Sequence, residues 1–173
     1  MKIIFIQTGG TIDKDYPRTK KGYAFEITEP AVKRILQKAN PNFDYEIILL
    51  LKKDSLDITQ EDRNKIRQTC QETHGNKIII THGTDTMIQT AKKLSNIKNK
   101  TIILTGATKP EKFTDSDAPF NVGTAIGAIN ILNNGTYIAM NGRIYPWNKV
   151  KRNPKTGQFV ENNPPQKAKP TAF

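Results

Sequence analysis

Five short runs of β-branched and apolar residues recur along the chain: KIIFIQ at 2–7, YEIILLL at 45–51, KIIIT at 77–81, KTIILT at 100–105 and TYIAM at 136–140. Each is too short to make a helix of ordinary length, and each is apolar on both of its faces instead of alternating. A strand with that pattern has to be covered on both sides, which is the condition inside a parallel sheet layered by helices.

The segments between the runs carry helical signals. Thr28-Glu29-Pro30 offers a cap and an early proline, and Val32, Ile35, Leu36 and Ala39 then share one face. Thr59-Gln60-Glu61-Asp62 has the form of a capping box, followed by a polar helix to about His74 whose apolar stripe is Ile66 and Cys70. A third helix is predicted from about Asp85 to Leu94, with Met87, Ile88, Ala91 and Leu94 inward, and a fourth from about Phe120 to Leu132, expected to be the most buried. Strand and helix alternate four times before the fifth strand. The expected fold class is therefore α/β, a doubly wound and mostly parallel sheet of about five strands with helices on both faces. The domain is read as residues 1–146, and residues 147–173 as a basic, Pro- and Asn-rich tail packed on it or partly disordered.

Composition excludes several classes. A single cysteine, Cys70, leaves no internal disulfide and no metal-type spacing. No apolar run approaches the ~20 residues of a membrane span, and Met1-Lys2-IIFI lacks the length and cleavage site of a signal peptide. The expectation is a cytoplasmic protein. The net charge of +11 gathers at Lys14–Lys21, Lys92–Lys112 and Lys149–Lys169. No aromatic interleaving or nucleic-acid module accompanies these lysines, so they are read as a solvated basic surface and nucleic acid is not expected as a partner.

Ligands of open parallel sheets bind beyond the carboxyl ends of the strands. Those ends read Thr8-Gly9-Gly10-Thr11, Asp54-Ser55-Leu56-Asp57, Thr81-His82-Gly83-Thr84-Asp85-Thr86, Thr105-Gly106-Ala107-Thr108-Lys109-Pro110 and Met140-Asn141-Gly142. Small, hydroxylated and acidic residues thus collect on one rim. A glycine-rich first turn can cradle phosphate when a helix follows at once. Here the next helix waits until about residue 29, and neither glycine-rich phosphate fingerprint is present. The stronger reading is nucleophilic catalysis by a threonine: glycines allow close backbone approach to a substrate, and a loop carrying Tyr16 can close over the pocket. His82 is read as structural, and Asp115, Ser116 and Asp117 as a turn and cap for the fourth helix.

TGGTI, D-S-x-D, THGTDTM, and TGA-x-K-P followed by D-x-PFN, in that order, resemble the motifs of bacterial-type L-asparaginases over residues 3 to about 145. The resemblance implies Thr11 as nucleophile and a lid tyrosine, Tyr16 or alternatively Tyr23. It implies Ser55 at the substrate α-carboxylate, with Gly10, Asp54 and Gly83 lining the same pocket. Thr84 and Asp85 match a second threonine and an aspartate that also meets the α-amino group. The family completes this set with a lysine after the fifth strand, where this chain reads WNKVKRNPKTG. The motif alignment sets Arg152 opposite that lysine; a one-residue shift would give the role to Lys151, the residue expected to take it.

The function implied is hydrolysis of L-asparagine, and possibly of L-glutamine, through a threonine acyl-enzyme with neither cofactor nor metal, in a homodimer or homotetramer. Family members of the usual kind are about twice this length and carry a smaller second domain, so a compact single-domain branch is the expectation. Two other functions stay open: a deamidase subunit that feeds ammonia to a transfer-RNA amidotransferase, and a non-catalytic amino-acid-binding module.

Overall fold

The computed structural model describes residues 2–19, 22–23 and 26–162, with backbone only at 18–19 and 22–23. Its centre is a six-stranded sheet: β1 (Lys2–Gly9), β2 (Asp44–Lys53), β3 (Lys77–Thr81), β4 (Thr101–Thr105), β5 (Gly135–Met140) and β6 (Arg143–Pro146), in the spatial order β6-β5-β4-β3-β1-β2. The first five are mutually parallel, but β2 is an edge strand with no buried residue and Leu49 exposed, so its apolar run is not covered on both sides as expected. The sixth returns antiparallel along β5 through a turn at Asn141-Gly142, both with positive φ, and extends the sheet beyond the five strands legible in sequence.

Alternation along the strands sends side chains into two cores. Ile4, Ile6, Ile78, Ile80, Ile102 and Leu104 face α2 (Gln60–Glu72) and α3 (Met87–Leu94), meeting Ile66, Cys70, Met87, Ala91 and Leu94. Ile3, Phe5, Ile79 and Ile103 face α1 (Ala31–Ala39) and α4 (Ala118–Ile129), meeting Val32, Leu36, Val122, Ala125 and Ile129. Helices thus cover both faces of the sheet.

The capping box at Thr59 is fully formed: Thr59 Oγ1 accepts from the Asp62 N–H, and Asp62 Oδ2 accepts from the Thr59 N–H at 2.8 Å. Burial pulls Asp62 upward, but Lys53 and Thr59 outweigh it and hold the carboxyl down to about 2. Ala39 is exposed at the end of α1. Half of α4 is buried, a share that α3 equals and neither α1 nor α2 reaches, with Phe120 exposed and Gly123 and Gly127 looking onto open space. The two glycines lie on the outer face, while Ala118, Ala125 and Ala128 pack into the core.

After a short 3-10 turn at Trp147–Lys149, strands β7 (Val150–Arg152) and β8 (Phe159–Glu161) form an antiparallel hairpin. Val150 and Phe159 join the α2/α3 core, and the buried Tyr145 hydroxyl donates to the Phe159 carbonyl at 2.8 Å. Residues 163–173 lie outside the described residues.

Candidate active site at the carboxyl rim of the sheet

The chain leaves β1 to reach β2 on one side and returns to β3 on the other, so the sheet order reverses between β1 and β3. Open α/β sheets have their binding crevice at such a point. Here the crevice is built on glycine. Gly9 and Gly10 both have positive φ, at 102° and 85°. A Cβ on Gly10 would strike the Gly83 backbone, and one on Gly83 would lie 2.6 Å from Ser55 Cβ. The β1 loop, the β3 loop and the turn after β2 therefore stack in contact, an arrangement that only residues without side chains allow.

Thr11 opens the 3-10 turn Thr11–Asp13 at the tip of β1 and is half-buried, with no hydrogen bond to its hydroxyl among the described residues. The turn is fixed from below. The Thr8 hydroxyl donates to the Thr81 carbonyl at 2.7 Å, and the Gly10 N–H donates to the Lys53 carbonyl at 2.9 Å.

Across the glycine contact, Ser55 is buried and its Oγ donates to Asp85 Oδ2 at 3.4 Å. The Thr86 hydroxyl donates to the Ser55 carbonyl at 2.7 Å and binds the two loops together. Thr84 is nearly buried, between Gly83 and Asp85. Asp54 caps the Ser55–Asp57 turn and pairs with Lys14 at 2.5 Å, which lowers its carboxyl below the usual range. Gly10, Gly83 and Ser55 thus pack against one another at the rim, with Thr11, Asp54, Thr84 and Asp85 as their chain neighbours.

Arg152, and not Lys151, is the cation in contact with Asp85. Its Nη1 donates to Asp85 Oδ1 at 2.8 Å, and its Nε donates to the Gly157 carbonyl at 3.2 Å. Lys151 is exposed and paired through its backbone with Val160. Successive side chains of a strand point to opposite sides, so a one-residue shift would have to turn the whole hairpin over. Tyr16 is 43% exposed, and its ring packs on Phe113 with centroids 5.8 Å apart. The backbone of Tyr23 pairs with that of Arg18, and its side chain lies outside the described residues.

His82 is wholly buried. Its Nδ1 meets the Gly83 carbonyl at 2.7 Å and its Nε2 meets the Thr90 hydroxyl at 2.9 Å. A carbonyl can only accept, so the proton sits on Nδ1 and Nε2 accepts from Thr90. Burial pushes this imidazole down to about 4, which keeps it neutral at physiological pH and makes it a spacer between β3 and α3. Asp117 does not cap its own helix. Its carboxylate instead accepts from the Thr108 and Lys109 N–H groups at 2.9 and 3.0 Å, while Ser116 accepts from Ala118. No group of three or more metal-ligating side chains occurs among the described residues.

Several residues that organise the rim are not among the expected site residues. Asn121 donates to the Gly106 carbonyl and accepts from the Asn141 N–H, joining the β4 and β5 ends. Thr86, Lys14 and Asp13 are of the same kind. Asn121 and Thr86 lie inside the D-x-PFN and THGTDTM motifs and Asp13 and Lys14 follow TGGTI, but their roles are not legible there because what they bind lies far away in sequence.

The asparaginase N-terminal family model matches residues 2–163. An L-asparaginase of Thermococcus kodakarensis is 31% identical over 158 residues, covering 88% of this chain and 48% of that protein; its solved structure superposes with a TM-score of 0.79. L-asparaginase I of Vibrio cholerae gives a TM-score of 0.79 at 25% identity, over 95% of this chain and 52% of that one. A glutaminase-asparaginase of Acinetobacter glutaminasificans is 25% identical over 172 residues, 91% of this chain and 52% of that protein. The chain spans about half the length of the curated relatives it matches. With its glycine-packed threonine crevice at the switch point of the sheet and a family match over nearly all the described residues, this chain belongs to the asparaginase family, in its N-terminal domain.

Proposed function

We propose that the protein is an amidohydrolase that converts L-asparagine to L-aspartate and ammonia through an acyl-enzyme on Thr11. The observation that carries this reading is the half-buried Thr11 at the tip of β1, set across the Gly10–Gly83 contact from Thr84, Asp85 and Ser55. Thr11 Oγ attacks the side-chain amide carbon, and N–H groups at the open end of its turn receive the oxyanion. The hydroxyl proton passes to the departing nitrogen, which leaves as ammonia. Water then cleaves the threonine ester, returning the proton to Thr11 Oγ and releasing aspartate.

Arginine keeps its proton, so Arg152 serves to hold Asp85 and not as a base. Proton transfer falls to Tyr16 on the loop or to the Thr84 hydroxyl. Ser55 and Asp85 read the zwitterionic end of the substrate, with Asp54, Gly10 and Gly83 shaping its seat. The reading includes a homodimer or homotetramer and a cytoplasmic location. Two observations support the latter: no helix among the described residues is long and apolar enough to cross a membrane, and one solved relative is a probable cytoplasmic L-asparaginase from Campylobacter jejuni.

The test is ammonia release from L-asparagine and L-glutamine by the purified protein beside Thr11→Val. Turnover that disappears in the variant is the expected result. A second reading, an amino-acid-binding module, is favoured by the Arg152–Asp85 pair in place of a titratable lysine. Its signature is no turnover in either protein while asparagine still raises the melting temperature.

A further inference from the structure

Asp13 closes the turn that Thr11 opens, and it is completely buried. Three bonds converge on this residue. Its N–H donates to the Gly10 carbonyl at 3.1 Å, its carbonyl accepts from the Thr28 N–H at 3.1 Å, and its Oδ1 accepts from the Ala31 N–H at 2.7 Å. The chain departs from Asp13 into the excursion 14–28 and comes back to the same residue, with Lys14-Asp15 paired against Glu26-Ile27 at the base. The helix α1 begins after Pro30, which has no side chain able to cap it, so Asp13 supplies the missing acceptor from 18 residues away.

The other side of the carboxyl is crowded with unpaired polar atoms. Gln7 on β1 and Thr81 on β3 face it. Gln7 Nε2 is spent on the Thr28 carbonyl at 3.1 Å. Gln7 Oε1, Asp13 Oδ2, Thr28 Oγ1 and Thr81 Oγ1 are buried with no hydrogen-bond partner among the described residues. The charged group facing Asp13 is Arg34 on α1, which is itself held by Glu111 at 2.5 Å, where Lys38 also reaches at 3.4 Å. One residue further out, Asp15 is taken by Lys112.

This placement makes the proton matter. An ionised Asp13 would place a charge where no water reaches it, beside an Arg34 already held by Glu111. The neutral acid turns Oδ2 into a donor while Oδ1 goes on accepting from Ala31. We infer that Asp13 is a positioning residue for Thr11: in its neutral form it clamps together the Thr11 turn, the returning chain at Thr28 and the first turn of α1, and loss of its proton loosens that clamp and opens the base of the 14–28 excursion. Burial supports this independently by raising the carboxyl to about 7, against the opposing pull of the Ala31 N–H, Gln7, Arg34 and Thr81. The clamp is closed in mild acid and relaxes as the pH climbs past neutrality. Its consequence for catalysis rests on the proposed role of Thr11, but the clamp itself is measurable without any turnover.

The experiment is limited trypsin digestion of the full chain, comparing wild type with Asp13→Asn at about pH 6 and about pH 8.5. The excursion offers Lys14, Arg18, Lys20 and Lys21 as cleavage points. Asparagine can accept from Ala31 with no proton to lose, and the ratio of the two proteins cancels the protease's own pH dependence. The expected ratio of wild-type to variant cleavage within 14–21 rises on the order of tenfold between the two pH values, following the ionised fraction. A ratio that stays constant overturns the inference. Should the variant not fold, amide exchange on the wild type alone decides, after correction for intrinsic rates. Protection of the Ala31 N–H is expected to fall by about tenfold over the same interval while that of Ile79 holds, and unchanged Ala31 protection overturns the clamp. A rising cleavage ratio without ammonia release would discard the amidase reading and leave the clamp standing.

Discussion

The Arg152 guanidinium reaches from the C-terminal hairpin to Asp85 at the end of β3, with Nη1 and Oδ1 2.8 Å apart. That one contact brings a segment far along the chain into the crevice beside Thr84 and Ser55.

Both partners are more than a third exposed, so the pair itself contributes at most about 1 kcal/mol to folding. Replacing Arg152 with Ala is expected to leave the melting temperature within about 3 °C. It is expected to weaken asparagine or aspartate binding about tenfold by releasing Asp85. Calorimetric titration against a melting curve separates the two effects, and a large loss of stability with unaltered binding would assign Arg152 to the hairpin and not to the site.

The glycine stack makes the opposite prediction. Gly10→Ala forces a side chain onto backbone that has positive φ and lies in contact with Gly83. The expected cost is upward of about 3 kcal/mol, read from the denaturant midpoint. Gly123→Ala, on the open outer face of α4, is expected to gain a few tenths of a kcal/mol, up to about 1 kcal/mol, from helix propensity.

Asp13 and His82 pull the pH dependence of stability in opposite directions. The folded Asp13 carboxyl lies at about 7, above its ordinary 3.8, so the native state holds the extra proton. Its contribution is complete below the unfolded value and is lost as the pH rises toward about 7. The full span is of order 4 kcal/mol. Asp13→Asn is expected to abolish this falling contribution, so that the melting temperature of the variant rises with pH between about 4 and 6.5 where that of the wild type stays level.

His82 is depressed to about 4 from 6.5, so here the unfolded state binds the extra proton. Stability from this residue is present above the unfolded value and is lost as the pH falls from 6.5 toward 4, by about 3 kcal/mol. In wild type the two residues nearly cancel over that interval, giving a flat profile. In Asp13→Asn the His82 slope stands exposed as a steep acid decline. Nuclear magnetic resonance titration checks the cause directly: the His82 ring is expected to remain neutral down to about 4, and a midpoint near its ordinary value would refute the buried neutral tautomer.

Much of this architecture is legible in the chain. The doubly apolar runs at β1, β3 and β4 fit the interior of a covered parallel sheet, and the capping box at Thr59 needs only its own four residues to declare the start of α2. The motif at Thr11 and the one at Thr84-Asp85 are readable because each is contiguous. The sixth strand is harder, since Arg143–Pro146 is short, carries an exposed arginine and ends in proline.

Local chemistry along the sequence thus determined which segments form the parallel strands and main helices and where the threonine hydroxyls emerge, because those depend on periodicity and backbone freedom over a few residues. Tertiary structure alone decided that Arg152 and not Lys151 meets Asp85, as a strand's alternation has no sense of direction until the hairpin docks through Phe159 and Tyr145. It also decided the state of Asp13. A carboxyl beside Thr11 looks like any surface acid in the sequence, and becomes neutral near physiological pH only when Gln7, Thr81 and the start of α1 close over it and exclude water.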